Sequence, residues 1–209
     1  ANIISHGVFG SGSVLMTSAI QSTDDNVLEM VRRSNIDTDV MIEAASEDEA
    51  LALNQFSELI LALPGDTREA HFKSVCDLIE IGVKVIRSHQ YLMLNGSEAA
   101  TREGRAKYNP QTKFRVAPNT VNTYELFGET VLAPEVDEIC VGTNTMTFAD
   151  YEECRMFDLT VEVFYNNALL LELFKLLKTH RIRISTLITL IHERVTSFAS
   201  PVAELYEEF

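Results

Sequence analysis

The chain has 209 residues, 46% of them hydrophobic, enough to bury a real core in one domain, or in one domain with an appendage, and too many for a disordered segment. Its 31 acidic against 17 basic residues leave a net charge of −14 and no basic stripe, so a phosphate backbone would be repelled and nucleic acid is not an expected partner. No apolar run approaches the roughly 18–20 uncharged residues of a membrane helix, and Ala1-Asn2-Ile3-Ile4-Ser5-His6 carries no basic stretch ahead of an apolar one; the expectation is a soluble, cytoplasmic protein without membrane contact.

Val14 to Ile20 is a short apolar run closed by Gln21-Ser22-Thr23-Asp24-Asp25, the pattern of a buried strand entering a helix, with Ser22 and Asp25 as the expected N-cap. The helix places Val27, Met30 and Val31 on one face and stops near Ser34-Asn35. A second helix is expected from Asp39 to Leu53. Phe56 to Leu63 reads as another strand, closed by Pro64-Gly65, after which Asp66 or Thr67 caps a helix that runs to Ile81 and ends at Gly82. Lys84 to Gln90 is a third strand. Strands alternating with helices indicate βα units, parallel strands and an α/β fold.

Beyond Thr101 the character changes. Tyr108 to Thr123 is polar, carries Pro110 and Pro118 and reads as irregular, while Val136 to Val141 has the composition of one more strand. Thr147 caps a long helical segment from Phe148 to Lys178; further helices are expected from Ser185 to Phe198 and from Pro201 onward. Cys76, Cys140 and Cys154 are too scattered for a disulfide framework or a zinc motif and read as buried free thiols.

In parallel α/β sheets ligands bind at the carboxyl ends of the strands. There the three strands deliver Gln21 and Ser22, then Ala62-Leu63-Pro64-Gly65-Asp66-Thr67 with Glu58 inside the strand, then His89, Gln90 and Tyr91. Each residue also has a structural reading: Gln21 and Ser22 as caps, Arg33 as a helix-end cation and His89 as a satisfied core histidine. A carboxylate within an apolar strand, as at Glu58, is costly unless it has a partner.

Ser18-Ala19-Ile20-Gln21-Ser22 followed by Arg32-Arg33, then Glu58-Leu59-Ile60-Leu61-Ala62-Leu63-Pro64-Gly65-Asp66-Thr67, then Val85 to Leu94, resemble strands four to six of radical S-adenosylmethionine enzymes. The resemblance spans about 90 residues and implies the C-terminal half of a partial (β/α)6 TIM-like barrel over residues 1–100, with a mainly α-helical C-terminal extension over 101–209. It implies that Gln21, Arg33 and Glu58 contact the ribose and amino-acid portions of S-adenosylmethionine, with Ser22 among the cofactor-binding residues. The backbone of Ala62, Leu63 and Pro64 and the segment His89, Gln90, Tyr91 would border its adenine. Ala62 stands where the family usually has Gly, and Asp66 where it has Glu.

The family's Cys-x3-Cys-x2-Cys loop, which binds a 4Fe-4S cluster, is absent from this sequence. The resemblance therefore implies that the cluster belongs to an upstream part of the same polypeptide and that this chain is not catalytically competent alone. Thr120-Val121-Asn122-Thr123-Tyr124 and Val141-Gly142-Thr143-Asn144-Thr145-Met146-Thr147 resemble the C-terminal part of radical enzymes that carry an upstream cobalamin domain, which adds cobalamin as a cofactor of the full-length protein and methyl transfer or rearrangement as its reaction. A small-molecule substrate is implied, no residue is assigned a catalytic role, and no metal ligand is expected in this chain. The alternative is a non-catalytic α/β module that binds an adenosyl ligand or a protein. A parallel sheet beginning at Val14 to Ile20 would also expose an apolar edge, so self-association through that edge or a rearranged N-terminus is expected.

Overall fold

The computed structural model describes residues 16–34, 55–198 and 200–209. The expected helix from Asp39 to Leu53 and the first two residues of the first strand lie outside them. Strand β1 (Met16–Gln21) leads to helix α1 (Asp25–Met30); β2 (Gln55–Leu61), α2 (Arg68–Ile81) and β3 (Val85–Gln90) follow. The three strands form one parallel sheet in the order β1-β2-β3, with Phe56 opposite Val85 and Glu58 opposite Arg87. The fold is thus α/β. The sheet is open, and no closed barrel is present among the described residues.

Local chemistry explains these boundaries. Thr67 accepts the Ala70 N–H at 3.1 Å to start α2, and Gly82, at φ +93°, ends it by donating its N–H to the carbonyls of Leu78 and Ile79. The cap of α1 is Asp24, which accepts from the N–H groups of Asn26 and Val27. The expected cap, Ser22 with Asp25, is corrected on this point. Ser22 lies two residues before the cap position, and its Oγ instead accepts the Asp24 N–H at 3.1 Å.

A short 3-10 turn (Glu98–Ala100) and helix α3 (Arg102–Tyr108) precede β4 (Gln111–Leu126) and β5 (Glu129–Gly142), which pair antiparallel as a long hairpin. The segment from Tyr108 to Thr123, expected to be irregular, is therefore mostly strand. Its apolar side chains are largely exposed, so it lacks the period-two burial that identifies a strand, and Pro118 sits in the register shift between Val116 and Val121. The hairpin turns at Phe127 and Gly128, both at positive φ, as a two-residue hairpin loop requires.

Thr147 and Asp150 form a reciprocal capping box on α4 (Phe148–Val161). The single long helix expected from Phe148 to Lys178 is broken: a π turn (Glu162–Asn166) and left-handed Ala168, φ +53°, separate α4 from α5 (Leu171–Thr179). Asn166 stands at the end of the π turn. Its amide accepts the Ile86 N–H at 2.9 Å and donates to the Ile86 carbonyl at 2.8 Å, taking the place of a neighbouring strand on the outer edge of β3. Helix α6 (Ile184–Arg194), a 3-10 turn (Val195–Ser197) and α7 (Ser200–Glu208) complete the chain.

One face of the sheet is sealed by helices: Ile20, Leu59 and Ile86 pack with Val75, Leu78, Phe157 and Ile188 from α2, α4 and α6. A second core joins Leu61 and Met93 to Cys140, Met146 and Cys154. Residues of 1–100 and of 101–209 therefore share both cores. Just beyond β3, the Cys140 N–H donates to the Tyr91 carbonyl and the Met93 N–H to the Glu138 carbonyl, both at 2.9 Å, which attaches the foot of the hairpin to the sheet.

Candidate functional site

Side chains alternate across a strand. The sheet face opposite Leu59, Leu61 and Ile86 therefore carries Glu58, Ile60, Arg87 and His89. Glu58 Oε1 lies 3.1 Å from His89 Nε2, with both side chains partly exposed at 36% and 54%, and the Arg87 guanidinium sits over the Phe56 ring at 5.7 Å. The carboxylate in β2 thus has a partner that still leaves it open to water or a ligand. It can accept further hydrogen bonds from hydroxyl or ammonium groups.

Two strained backbone positions mark the carboxyl ends of β1 and β2. Gln21 has φ +62° at a bulge, opposite Leu59, and Ala62 has φ +66°. Both conformations are ones that glycine adopts more readily than other residues. Asp66 holds the second turn by accepting the Ala62 N–H on Oδ2 at 3.1 Å and the Thr67 N–H on Oδ1 at 2.9 Å. Gln21 is 92% buried by its 8% exposure, and its Oε1 has no hydrogen-bond partner among the described residues. An orphaned buried amide oxygen is unfavourable by about 1–3 kcal/mol unless a ligand or water meets it.

The other candidate residues divide. Ser22 is buried beside Ser74 Oγ at 3.3 Å, while the Thr23 N–H donates to the same Ser74 hydroxyl, so Ser22 ties the β1 turn to α2. Leu63 and Pro64 are buried, Leu63 with Val27 and Ala70, and only their backbone can border a ligand. Tyr91 is half-buried and lies against both Leu61 and Leu63 neighbourhoods. Arg33 is exposed beyond the end of α1 and forms no side-chain ion pair or hydrogen bond among the described residues. Its neighbour Arg32 pairs with Glu98 at 3.3 Å. Gln90 points to the helix-covered face, where it donates to the Tyr151 hydroxyl at 2.5 Å and accepts from Arg115. Glu58 and His89 are brought together; Gln90 and Arg33 are not part of that pair.

A polar cluster that sequence reasoning missed lies behind β3. His71 Nε2 and Ser88 Oγ both donate to Asp158 Oδ1, at 2.9 and 2.7 Å, and Arg155 Nη1 lies 4.0 Å from Asp158 Oδ2. Burial pulls the His71 imidazole down, but the Asp158 carboxylate, its hydrogen bond and Asp66 outweigh that pull, and the net direction is upward. Burial pushes Asp66 up to about 6, against His71 and the two backbone donors. The available signal is phase: His71 recurs with Val75 and Leu78 on the buried face of α2, and Asp158 with Val161 and Tyr165, so each polar residue occupies a core position.

The thiols do not fit an iron–sulfur cluster. Cys76 lies on α2, Cys140 on β5 and Cys154 on α4, and burial pushes all three upward in pKa, whereas cluster ligands are thiolates. Among the described residues no group of histidines, cysteines and acids has the arrangement to hold a metal ion. The residues offer acceptors to a ligand bearing hydroxyl or amine groups: a buried amide oxygen, an accessible carboxylate and strand-end backbone. No helix among the described residues is long and apolar enough to cross a membrane. No protein-family model matches the chain, and no curated protein matches it.

Proposed function

We propose that this chain supplies the adenosyl-binding half of a radical S-adenosylmethionine enzyme. The observation that carries the reading is the buried, unpartnered Gln21 amide oxygen at the carboxyl end of β1, next to the strand that presents Glu58 on the more open sheet face. Gln21 accepts from a ligand hydroxyl or amine, Glu58 accepts from the ribose hydroxyls, and His89 orients Glu58. The turn at Ala62 to Pro64, held by Asp66, borders the adenine. The cofactor, when bound, supplies the one-electron chemistry; the cluster belongs to cysteines outside this chain.

The sheet edges agree with strands four to six of a six-stranded partial barrel. The outer edge of β3 is capped at Ile86 by Asn166, and β5 pairs with the chain just beyond β3, as would suit a last strand. The outer edge of β1, unpaired by any strand among the described residues, is where earlier strands of the same polypeptide, or a second chain, would add.

Calorimetric titration with S-adenosylmethionine and S-adenosylhomocysteine tests the reading. Binding of both is expected, weakened on the order of tenfold in Glu58→Ala and in Gln21→Leu, the loss expected for a charge-assisted and a buried hydrogen bond. Absence of binding to either ligand, or affinity indifferent to both substitutions, overturns it.

A further inference from the structure

The β4–β5 hairpin projects as a two-stranded ribbon whose outer half is clothed by little else. Tyr124, Leu126, Val131 and Leu132 are exposed large apolar residues there, and Phe127 at the turn is exposed at 106%. In the register Tyr124 faces Val131 and Leu126 faces Glu129, so Tyr124, Leu126 and Val131 share one face with Glu129. An isolated hairpin is at best marginally stable in water, and a contiguous apolar surface of this kind marks an interaction site. The charge on this ribbon has one sign: residues 117–136 contain Glu125, Glu129 and Glu135 and no lysine or arginine.

The opposite combination occurs at the corner formed by α5 and the turn into α6. Leu173 and Leu176, one helical turn apart, are exposed together with Leu169 and Ile182. Residues 173–183 hold Lys175, Lys178, Arg181 and Arg183 and no acid. Lys178 and Arg181 have no acidic partner among the described residues, although the chain as a whole carries a charge of −14. An acidic apolar ribbon and a basic apolar helix are both exposed on the same molecule, and neither covers the other.

We propose that the hairpin of one copy docks on the α5 corner of a second copy, with Leu126 and Phe127 against Leu173 and Leu176, and Glu129 facing Lys178 and Arg181. Charge complementarity selects this occupant over a second hairpin, since two acidic ribbons repel. One ribbon on one short helix falls below the roughly 1,200 Å² of total buried surface typical of stable complexes, so two reciprocal contacts that close a dimer are required.

Sedimentation velocity on the full chain, with circular dichroism to verify folding, tests the contact. A concentration-dependent dimer is expected for the wild type, and monomers for the ribbon variant Leu126→Ser/Phe127→Ser and for the corner variant Leu173→Ser/Leu176→Ser. Mixing the two variants leaves only one of the two reciprocal contacts intact, so the mixture is expected to stay monomeric. Glu129→Lys should weaken dimerisation about five- to tenfold, and Lys178→Glu in the same chain should recover most of it. A wild-type monomer, meaning that the ribbon is covered by its own chain or by nothing, overturns the proposal. So does a dimer that survives the corner variant, which would indicate ribbon-to-ribbon pairing. Serine substitutions on exposed positions leave the cores intact, so unfolding is not expected to obscure the result.

Discussion

Asp66 combines a structural duty with an unfavourable charge. It ties the turn after β2 through two backbone hydrogen bonds, yet burial raises its pKa from 3.8 to about 6. An acid whose folded pKa lies above its unfolded one contributes stability that is complete below the unfolded value and lost as pH rises through the folded value. Between pH 4 and pH 6 this group should therefore remove roughly 2 kcal/mol of stability, with the remainder lost below and above that window. His71, also shifted upward, acts in the same sense at higher pH. Replacing Asp66 by Asn should flatten this part of the profile, so that the variant gains on the wild type as pH rises from 4 to 7. Denaturant unfolding of both proteins across that range measures the difference; parallel curves would show that Asp66 does not titrate there. Glu58, by contrast, stands out as a candidate because a carboxylate lies within an apolar strand, and Gln21 because it closes an apolar run at a strand's carboxyl end.

At the scale of elements, Asn166 does work that the helical pattern conceals. The spacing of Phe157, Val161 and Phe164 continues smoothly toward Leu171, so periodicity alone predicts one helix from Phe148 to Lys178. The helix breaks where the Asn166 amide pairs with both backbone groups of Ile86, and a pair that joins residues 166 and 86 has no local signal. Asn166→Ala should destabilise the protein by about 2 kcal/mol for the two hydrogen bonds and speed amide exchange at Ile86 more than at Leu59 in the central strand. Hydrogen exchange read by NMR checks this, and equal protection at Ile86 in both proteins would assign the edge to other groups. The caps were readable where the chemistry is local: Thr67 before α2, Gly82 after it and Thr147 before α4 all act within one turn of their partners.

For the whole molecule, a net charge of −14 is a diffuse load that no single pair relieves. Long-range repulsion is screened over a Debye length of about 10 Å at 0.1 M salt, while close pairs such as Arg68 with Glu153 at 2.5 Å and Arg105 with Glu138 at 2.6 Å are affected less. Raising sodium chloride from low concentration to about 0.3 M at pH 7 should therefore raise the melting temperature by a few degrees. Differential scanning calorimetry decides the matter: a fall would mean that the surface ion pairs outweigh the global repulsion. The shared cores make this one cooperative load, since Phe157 and Ile188 pack under the same strands as Val75 and Leu78.

The three parallel strands, the caps of α2 and α4, and the positions of Glu58 within β2 and of His89 near the end of β3 are readable from residue order, because alternation, capping and turn chemistry act over a few residues. The remaining features come from long-range packing. Gln90 turns toward Tyr151, His71 meets Asp158, Asn166 closes the edge of β3, and a polar stretch with two prolines becomes a ribbon pinned to the sheet at Tyr91 and Met93. Each of these contacts joins residues far apart in the chain, and its energy depends on burial and register that no local pattern encodes.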